Sequence, residues 1–469
     1  MLEYEDAIAP EKMDTAPALR RALTTRIERA LTAPANGASP GAIRVSIEVS
    51  TVDPFTWLHA QPMAERLYWS GRNQSASVAA VGRAEVLTAD ASAGDGARLE
   101  QRLRKRFAHA DERPRLRYYG GWAFDGLQPP GDAWGAFGTY RFVLPRFELR
   151  TTGDRTVLLC NLVPSRDRER VEALCAQAEA LVWPAGRPGV ALPPAVTRSD
   201  QPNRATWRRM VSWALDAIAD DRLQKVVLAR QSVFDFLDTL PPVELLRRLH
   251  AATPNCFHFM VQPDDAVAFV GASPEQLFRR SGRRIQTEAI AGTRSRGDSA
   301  RADAALRTEL LESEKDRREH AFVVQAIRDR LATLCTAVQQ DASASELRLA
   351  RGRHLRSQFE GTLRDGVTTL DAVHALHPTP AIGGVPTEDA LQAIRAQEPF
   401  ARGWYAGPVG WIGPDAAEFA VAIRSGLIRD NTLALYSGAG IVDGSAPDPE
   451  WEEIEQKISD FAAVLDLTS

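Results

Sequence analysis

An α+β fold, a largely antiparallel sheet with helices packed on it, is the class this 469-residue sequence predicts. Two observations carry it. Strand-like apolar runs at Glu418 to Ile428 and Leu433 to Ser437 are joined by Arg429-Asp430-Asn431, which reads as a hairpin. Strand-like runs at Lys225 to Phe234, Ala266 to Val270 and Arg284 to Ala289 all precede one long helical pattern at about 300 to 335, so the order is not a regular βαβ series.

The remaining elements follow in order. The N-terminal region shows a helical pattern near 14 to 32, an alternating strand at Ile43 to Val49, a basic helix near 97 to 109 and the stretch Tyr118-Tyr-Gly-Gly-Trp-Ala-Phe124. It carries little recognisable chemistry. Residues 184 to 203 hold five prolines between a helical pattern ending near Trp183 and another starting near Ala205, as a connection between two halves would. The expected division is therefore 1–203 and 204–469. The C-terminal region opens with a helix whose Trp207, Val211, Leu215 and Ile218 share a face, and after the strands named above come Trp404 to Ile412 and a last helix from about 449 to 466.

Composition excludes several classes. With 44% hydrophobic and 25% charged residues the chain is neither fibrous nor disordered. A net charge of −4 offers no general field to gather nucleic acid or an anionic membrane. Cys160, Cys175, Cys256 and Cys335 are far apart with no metal-ligand spacing, which disfavours a zinc site and a disulfide framework and fits a reducing cytoplasm. The acidic start Met1-Leu-Glu-Tyr-Glu-Asp is followed by no apolar signal region, and no window approaches a membrane span; the chain reads as cytoplasmic.

Two helices carry paired carboxylates. In Glu314-Lys315-Asp316-Arg317-Arg318-Glu319-His320, Asp316 and Glu319 fall on one helical face. Near the C-terminus Asp448 suits an N-cap and Pro449 the first helical position, which puts Glu450, Glu453 and Lys457 on one stripe. Hard cations such as magnesium take oxygen ligands and keep several waters, so one or two direct carboxylates suffice. Either helix alone could equally present a solvated face. The Gly-rich run Tyr436-Ser-Gly-Ala-Gly-Ile-Val before the second helix offers backbone N–H groups to an anion beside such a metal. Its glycines at 438, 440 and 444 do not make a dinucleotide fingerprint.

Lys225 stands within an apolar strand-like run, where desolvation would lower its pKa towards that of a general base, although an edge-strand lysine would look the same. Glu275, in Gly271-Ala-Ser-Pro-Glu275, occupies a turn able to project an acid into a cleft or to lie on the surface. Arg424, on an apolar strand, needs an anionic partner, either a ligand or a structural salt bridge.

Taken in order, these segments resemble the chorismate-utilising enzymes, and among them the isochorismate synthases. The resemblance rests on Lys225-Val-Val-Leu-Ala-Arg230, Gly271-Ala-Ser-Pro-Glu275, Glu288-Ala-Ile-Ala-Gly-Thr-Arg294, Ser313-Glu-Lys-Asp-Arg-Arg-Glu-His320, His377-Pro-Thr-Pro-Ala-Ile-Gly-Gly-Val-Pro386, Gly403-Trp-Tyr-Ala-Gly-Pro-Val-Gly410, Phe419 to Arg424, Ser437-Gly-Ala-Gly-Ile-Val442 and Pro449-Glu-Trp-Glu-Glu453. It spans about 205 to 469, with a faint echo at Tyr119 to Phe124.

The resemblance implies a fold like the large component of anthranilate synthase, with two packed antiparallel sheets and helices outside, in which the Pro-rich segment would join regions of one unit. It implies that Lys225 activates water for attack at C2 of chorismate and that Glu275 protonates the departing C4 hydroxyl, giving isochorismate. Glu319 and Glu453 would be direct magnesium ligands, with Asp316 and Glu450 holding metal-bound waters. Tyr405, Arg424, Gly438, Gly440 and Lys457 would hold the substrate carboxylates, and Ala291, Gly292, Thr293 and His354 would line the cleft. Aminating relatives have a small residue where Lys225 stands, so no glutamine amidotransferase partner is expected. Salicylate synthases keep the lysine and eliminate pyruvate as well, so that reading stays open, as do menaquinone, siderophore and salicylate synthesis as destinations for the product. Ile290 stands where leucine is common and Ile382 where valine is. A monomer or weak homodimer is expected.

Overall fold

The computed structural model describes residues 15–32, 41–74, 76–89, 95–107, 116–128, 131–186, 189–350 and 352–465. The acidic start Met1 to Asp6 lies outside the described residues, as do the side chains of Asp95, Thr293, Lys315 and Asp460.

Among the described residues every strand pairing is antiparallel, in keeping with the hairpin signal. Hydrogen-bonded neighbours run Ala195–Gln201, Lys225–Phe236, Thr432–Ile441, Ser425–Arg429, Val267–Ser273, Phe257–Gln262, Arg66–Ser70, Ala76–Ala89 and Tyr140–Thr152. The last strand then serves two ladders. Its second half continues to Arg155–Leu162 and Ile43–Val49. Its first half continues to Tyr118–Trp122, Pro408–Ile412, Ala416–Val421, Gln276–Ser281, Arg284–Ser295 and Gly352–Leu363. The two expected sheets are thus joined through shared strands. Ile43–Val49 shows the alternate burial of a half-buried strand. Trp134, Phe137, Phe269 and Trp404 meet edge-on or tilted, with ring centroids 5.2 to 6.3 Å apart, and link the N- and C-terminal regions in one core. Among the described residues no helix is long and apolar enough to cross a membrane.

Several elements differ from the sequence reading. The long helix at 300–335 is two, Ala300–Glu312 and Glu314–Leu334, because Ser313 sits at φ −61°, ψ 115°, ends the first with its N–H on Glu309 and caps the second by accepting from the Asp316 N–H. The run Glu418 to Ile428 is also two strands, Ala416–Val421 and Ser425–Arg429, separated by a corner at Arg424, whose φ is +50°. The strand expected from Trp404 begins only at Pro408. The strand expected at Leu433 to Ser437 runs from Thr432 to Ile441 and takes in most of the glycine run. The last helix, Pro447–Val464, starts earlier than Asp448 predicts, with Ala446 at the cap, and Asp448 instead binds Arg204 and Arg208. Helix Arg204–Ala219 buries Trp207, Met210, Val211, Ala214 and Ala217, a face rotated from the one through Leu215 and Ile218. Residues Ala195–Gln201 of the Pro-rich connection form a strand against Lys225–Phe236.

Candidate active site

Two corners define the site. The chain passes from one ladder to the other at Pro274-Glu275, between Val267–Ser273 and Gln276–Ser281, and again at 422–424, between Ala416–Val421 and Ser425–Arg429. The corners are tied together by the Val421 N–H donating to the Glu275 carbonyl and the Ala272 N–H donating to the Arg424 carbonyl, both at 3.1 Å. They bring Glu275 and Arg424 to one cavity of about 270 Å³, which Lys225, the two carboxylate-bearing helices and the glycine-rich strand also line.

Lys225 begins its strand and is 5% exposed. Burial pulls its ammonium below the usual lysine range; Lys457 acts the same way, while Glu319, Glu275 and Glu453 oppose the shift. Gly440 makes the room: a Cβ there would stand 2.9 Å from the Lys225 Cε. Glu275 is also 5% exposed, so it is no surface turn residue. Its carboxyl is pushed up to about 8, first by burial and then by the Glu288 carboxylate, against Arg72 and Lys225. The cavity therefore holds a lysine whose proton affinity is lowered and a glutamic acid whose proton affinity is raised.

The four carboxylates, Asp316, Glu319, Glu450 and Glu453, reach the same cavity from the helices Glu314–Leu334 and Pro447–Val464. Gly292, at φ +72°, lets its strand approach the first helix; a Cβ there would lie 3.1 Å from the Asp316 side chain. Asp316 binds Arg294 at 2.7 Å, and Glu453 binds Lys457 at 2.7 Å. Among the described residues no group of three or more His, Cys, Asp and Glu converges closely enough to cage a metal ion. An oxygen-only set spread over two helices nonetheless fits a hard cation that keeps most of its waters.

The positive groups are held by partners of their own. Lys457 donates to the Gly438 carbonyl at 3.0 Å. The His354 Nδ1 lies 3.1 Å from the Gly292 carbonyl, which can only accept, so Nδ1 carries the proton and Nε2 accepts from Arg424 at 3.3 Å. Burial, then Arg424, pushes His354 down to about 3 and keeps the ring neutral. His354 thereby orients Arg424. Tyr405 stacks on Tyr436 at 5.2 Å, and a Cβ at Gly438 would stand 3.2 Å from the Tyr405 hydroxyl. Pairing with Ser425–Arg429 ends at Tyr436, so among the described residues that side of the glycine run has no strand partner. Ala291 also lines the cavity. Thr293 pairs with His354 in the ladder, and its side chain lies outside the described residues.

Residues 27–466 match the family of chorismate binding enzymes. The chain belongs to that family. Isochorismate synthase 2 of Arabidopsis thaliana, chloroplastic, is 34% identical over 466 residues, covering 92% of this chain and 82% of that protein. The isochorismate synthase MenF of Escherichia coli is 31% identical over 440 residues, 92% of this chain and 95% of its own. The solved structure of MenF, the menaquinone-specific isochorismate synthase from that organism, superposes with a TM-score of 0.83 at 29% identity, covering 96% of this chain and 100% of that one. Anthranilate synthase component I from Streptococcus pneumoniae TIGR4 shares the fold, with a TM-score of 0.70 at 21% identity over 83% of this chain and 92% of its own.

In this chorismate-binding enzyme the sequence reading misses three charged groups beside the site. Arg72, from the N-terminal region, binds Glu288 and the Pro274 carbonyl next to Glu275. Glu288 stands in the motif without a role assigned to it. Arg294 pairs directly with Asp316 in the cavity wall. Nothing in local spacing marks these residues, because each finds its partner only through the fold.

Proposed function

We propose that the chain is an isochorismate synthase, an isomerase that moves the hydroxyl of chorismate from C4 to C2. The observation that carries this reading is that Lys225 and Glu275, each 5% exposed, line one cavity with their proton affinities displaced in opposite senses. Free lysine amine at Nζ takes a proton from water as it adds at C2. Protonated Glu275 gives its proton to the C4 oxygen, which leaves as water while the double bonds shift. Water is consumed and released, so the net change is isomerisation. Water needs such a base and ammonia does not, which favours hydration over amination and calls for no amidotransferase partner.

Arg424, oriented by His354, and Lys457 supply positive charge for a substrate that is a dianion. Glu319 and Glu453, with Asp316 and Glu450 behind them, would hold a magnesium ion, whose charge supplies further neutralisation of a substrate carboxylate. MenF, menaquinone-specific, supports menaquinone synthesis as the destination of the product.

Incubation with chorismate and magnesium should yield isochorismate by chromatography, chelation should abolish turnover and added magnesium restore it. Lys225→Ala should lose turnover while chorismate still binds. Pyruvate released together with salicylate would replace this reading with a salicylate synthase, and full activity of Lys225→Ala would overturn the base assignment.

A further inference from the structure

The turn that carries Glu275 is gripped on both sides by one ion pair. Arg72 comes from the loop after the strand Arg66–Ser70, in the N-terminal region where the sequence shows no catalytic motif. Its guanidinium spans Glu288, with one nitrogen 3.0 Å from Oε2 and the other on Oε1. The second nitrogen also donates to the carbonyl of Pro274, the residue before Glu275. Glu288 Oε1 in turn accepts the N–H of Gln276, the residue after it, at 2.9 Å. Arg72 is itself steadied over the Phe257 ring, 5.2 Å from its centroid. The Glu288 side chain is only 3% exposed, so water cannot replace these partners.

We propose that Arg72 and Glu288 are positioning residues for the proton-donating step: they fix the turn bearing Glu275 from both sides and set the charge that its carboxyl meets. This rests on the reading of Glu275 as the acid. The charged groups bearing on Glu275 are Glu288, which favours its protonated form, and Arg72 and Lys225, which oppose it. An arginine is required because its fork satisfies two Glu288 oxygens and a carbonyl in fixed directions, which a lysine ammonium cannot do. The pair also gives the N-terminal region a place in the chemistry, since the donor's turn hangs from a residue outside the recognisable motifs.

The test is the pH dependence of kcat/KM for chorismate in four proteins: wild type, Glu275→Gln, Glu288→Gln and Arg72→Lys. Glu288→Gln keeps an acceptor for the Gln276 N–H and removes the charge together with one of the two oxygens that Arg72 grips. Its alkaline limb, where the acid is lost, should move to lower pH by about one unit while KM holds. Arg72→Lys should lower kcat roughly tenfold or more with KM unchanged, because the turn loosens while the charge remains. A Glu288→Gln limb coincident with wild type overturns the electrostatic role, and wild-type kcat in Arg72→Lys overturns the clamp. Should Glu288→Gln not fold, the Arg72→Lys result decides alone. Activity retained by Glu275→Gln would instead sink the acid assignment beneath both, and so is told apart from failure of the clamp.

Discussion

Glu275 stores free energy that its chemistry uses. Its carboxyl titrates near about 8 in the folded protein against an ordinary 4.5. Between those values the unfolded chain has released a proton that the folded chain keeps, so this group's contribution to stability falls as pH rises through that window. Below 4.5 both states are protonated and the penalty vanishes. Glu275→Gln, neutral at every pH, should therefore melt above wild type at pH 8 and level with it near pH 4, although it is inactive. Thermal melts across pH check this, and parallel curves would show that burial does not strain the carboxyl. His354 has the opposite sign. Held near about 3 against an ordinary 6.5, it withholds a proton that the unfolded chain binds, and its environment weakens the fold as pH falls through that range. One site therefore narrows the pH range of maximal stability from both sides.

At the scale of elements, what is periodic is legible and what is tertiary is not. Asp316 and Glu319, like Glu450 and Glu453, share faces because three residues make nearly one helical turn, and that spacing is written in the sequence. The break at Ser313 is harder to read, since residues on both sides keep helical patterns and only the backbone of one serine turns away. The corner at Arg424 is hidden for a similar reason: strand-like apolar residues stand on both sides of it, Phe419 to Ile423 and Leu427-Ile428, while the chain changes ladders between them. Glycines are legible as special but not in their purpose. In the run 436–442 the glycines up to Gly440 stay in a strand and clear space for Lys225 and Tyr405. That purpose makes a prediction. Gly440→Ala would put a methyl group 2.9 Å from the Lys225 Cε, which is near the mobile end of a side chain and can move aside. The protein should fold with an unchanged Tm while kcat falls about a hundredfold, because the amine is displaced by an ångström or so. A matched loss of Tm would mean that the glycine serves the strand and not the lysine.

At the scale of the molecule, the Pro-rich segment looks like a domain boundary in one dimension and is not one in three. The reason is strand pairing across it. Arg66–Ser70 lies between Ala76–Ala89 and Phe257–Gln262, and Tyr118–Trp122 lies between Tyr140–Thr152 and Pro408–Ile412. Trp134 and Phe137 pack on Phe269 and Trp404, and Arg72 holds the turn of Glu275. Residues 204–469 contain nearly all the motifs by which the sequence resembles its family. Without residues 1–203, however, the strands Phe257–Gln262 and Pro408–Ile412 each lose a neighbour and expose apolar edges. Burial of large apolar side chains is worth about 1.5 to 3 kcal/mol apiece, so losing several such contacts removes an amount comparable with the ordinary margin of about 5 to 15 kcal/mol. The fragment 204–469 expressed alone should therefore aggregate or remain unfolded and turn over no chorismate, whereas co-expression with 1–203 should restore a soluble, active complex. Circular dichroism, size-exclusion chromatography and the isochorismate assay on the two preparations decide it. A monodisperse, active 204–469 would show that the N-terminal strands cover the site without building it, and would remove Arg72 from the chemistry as well.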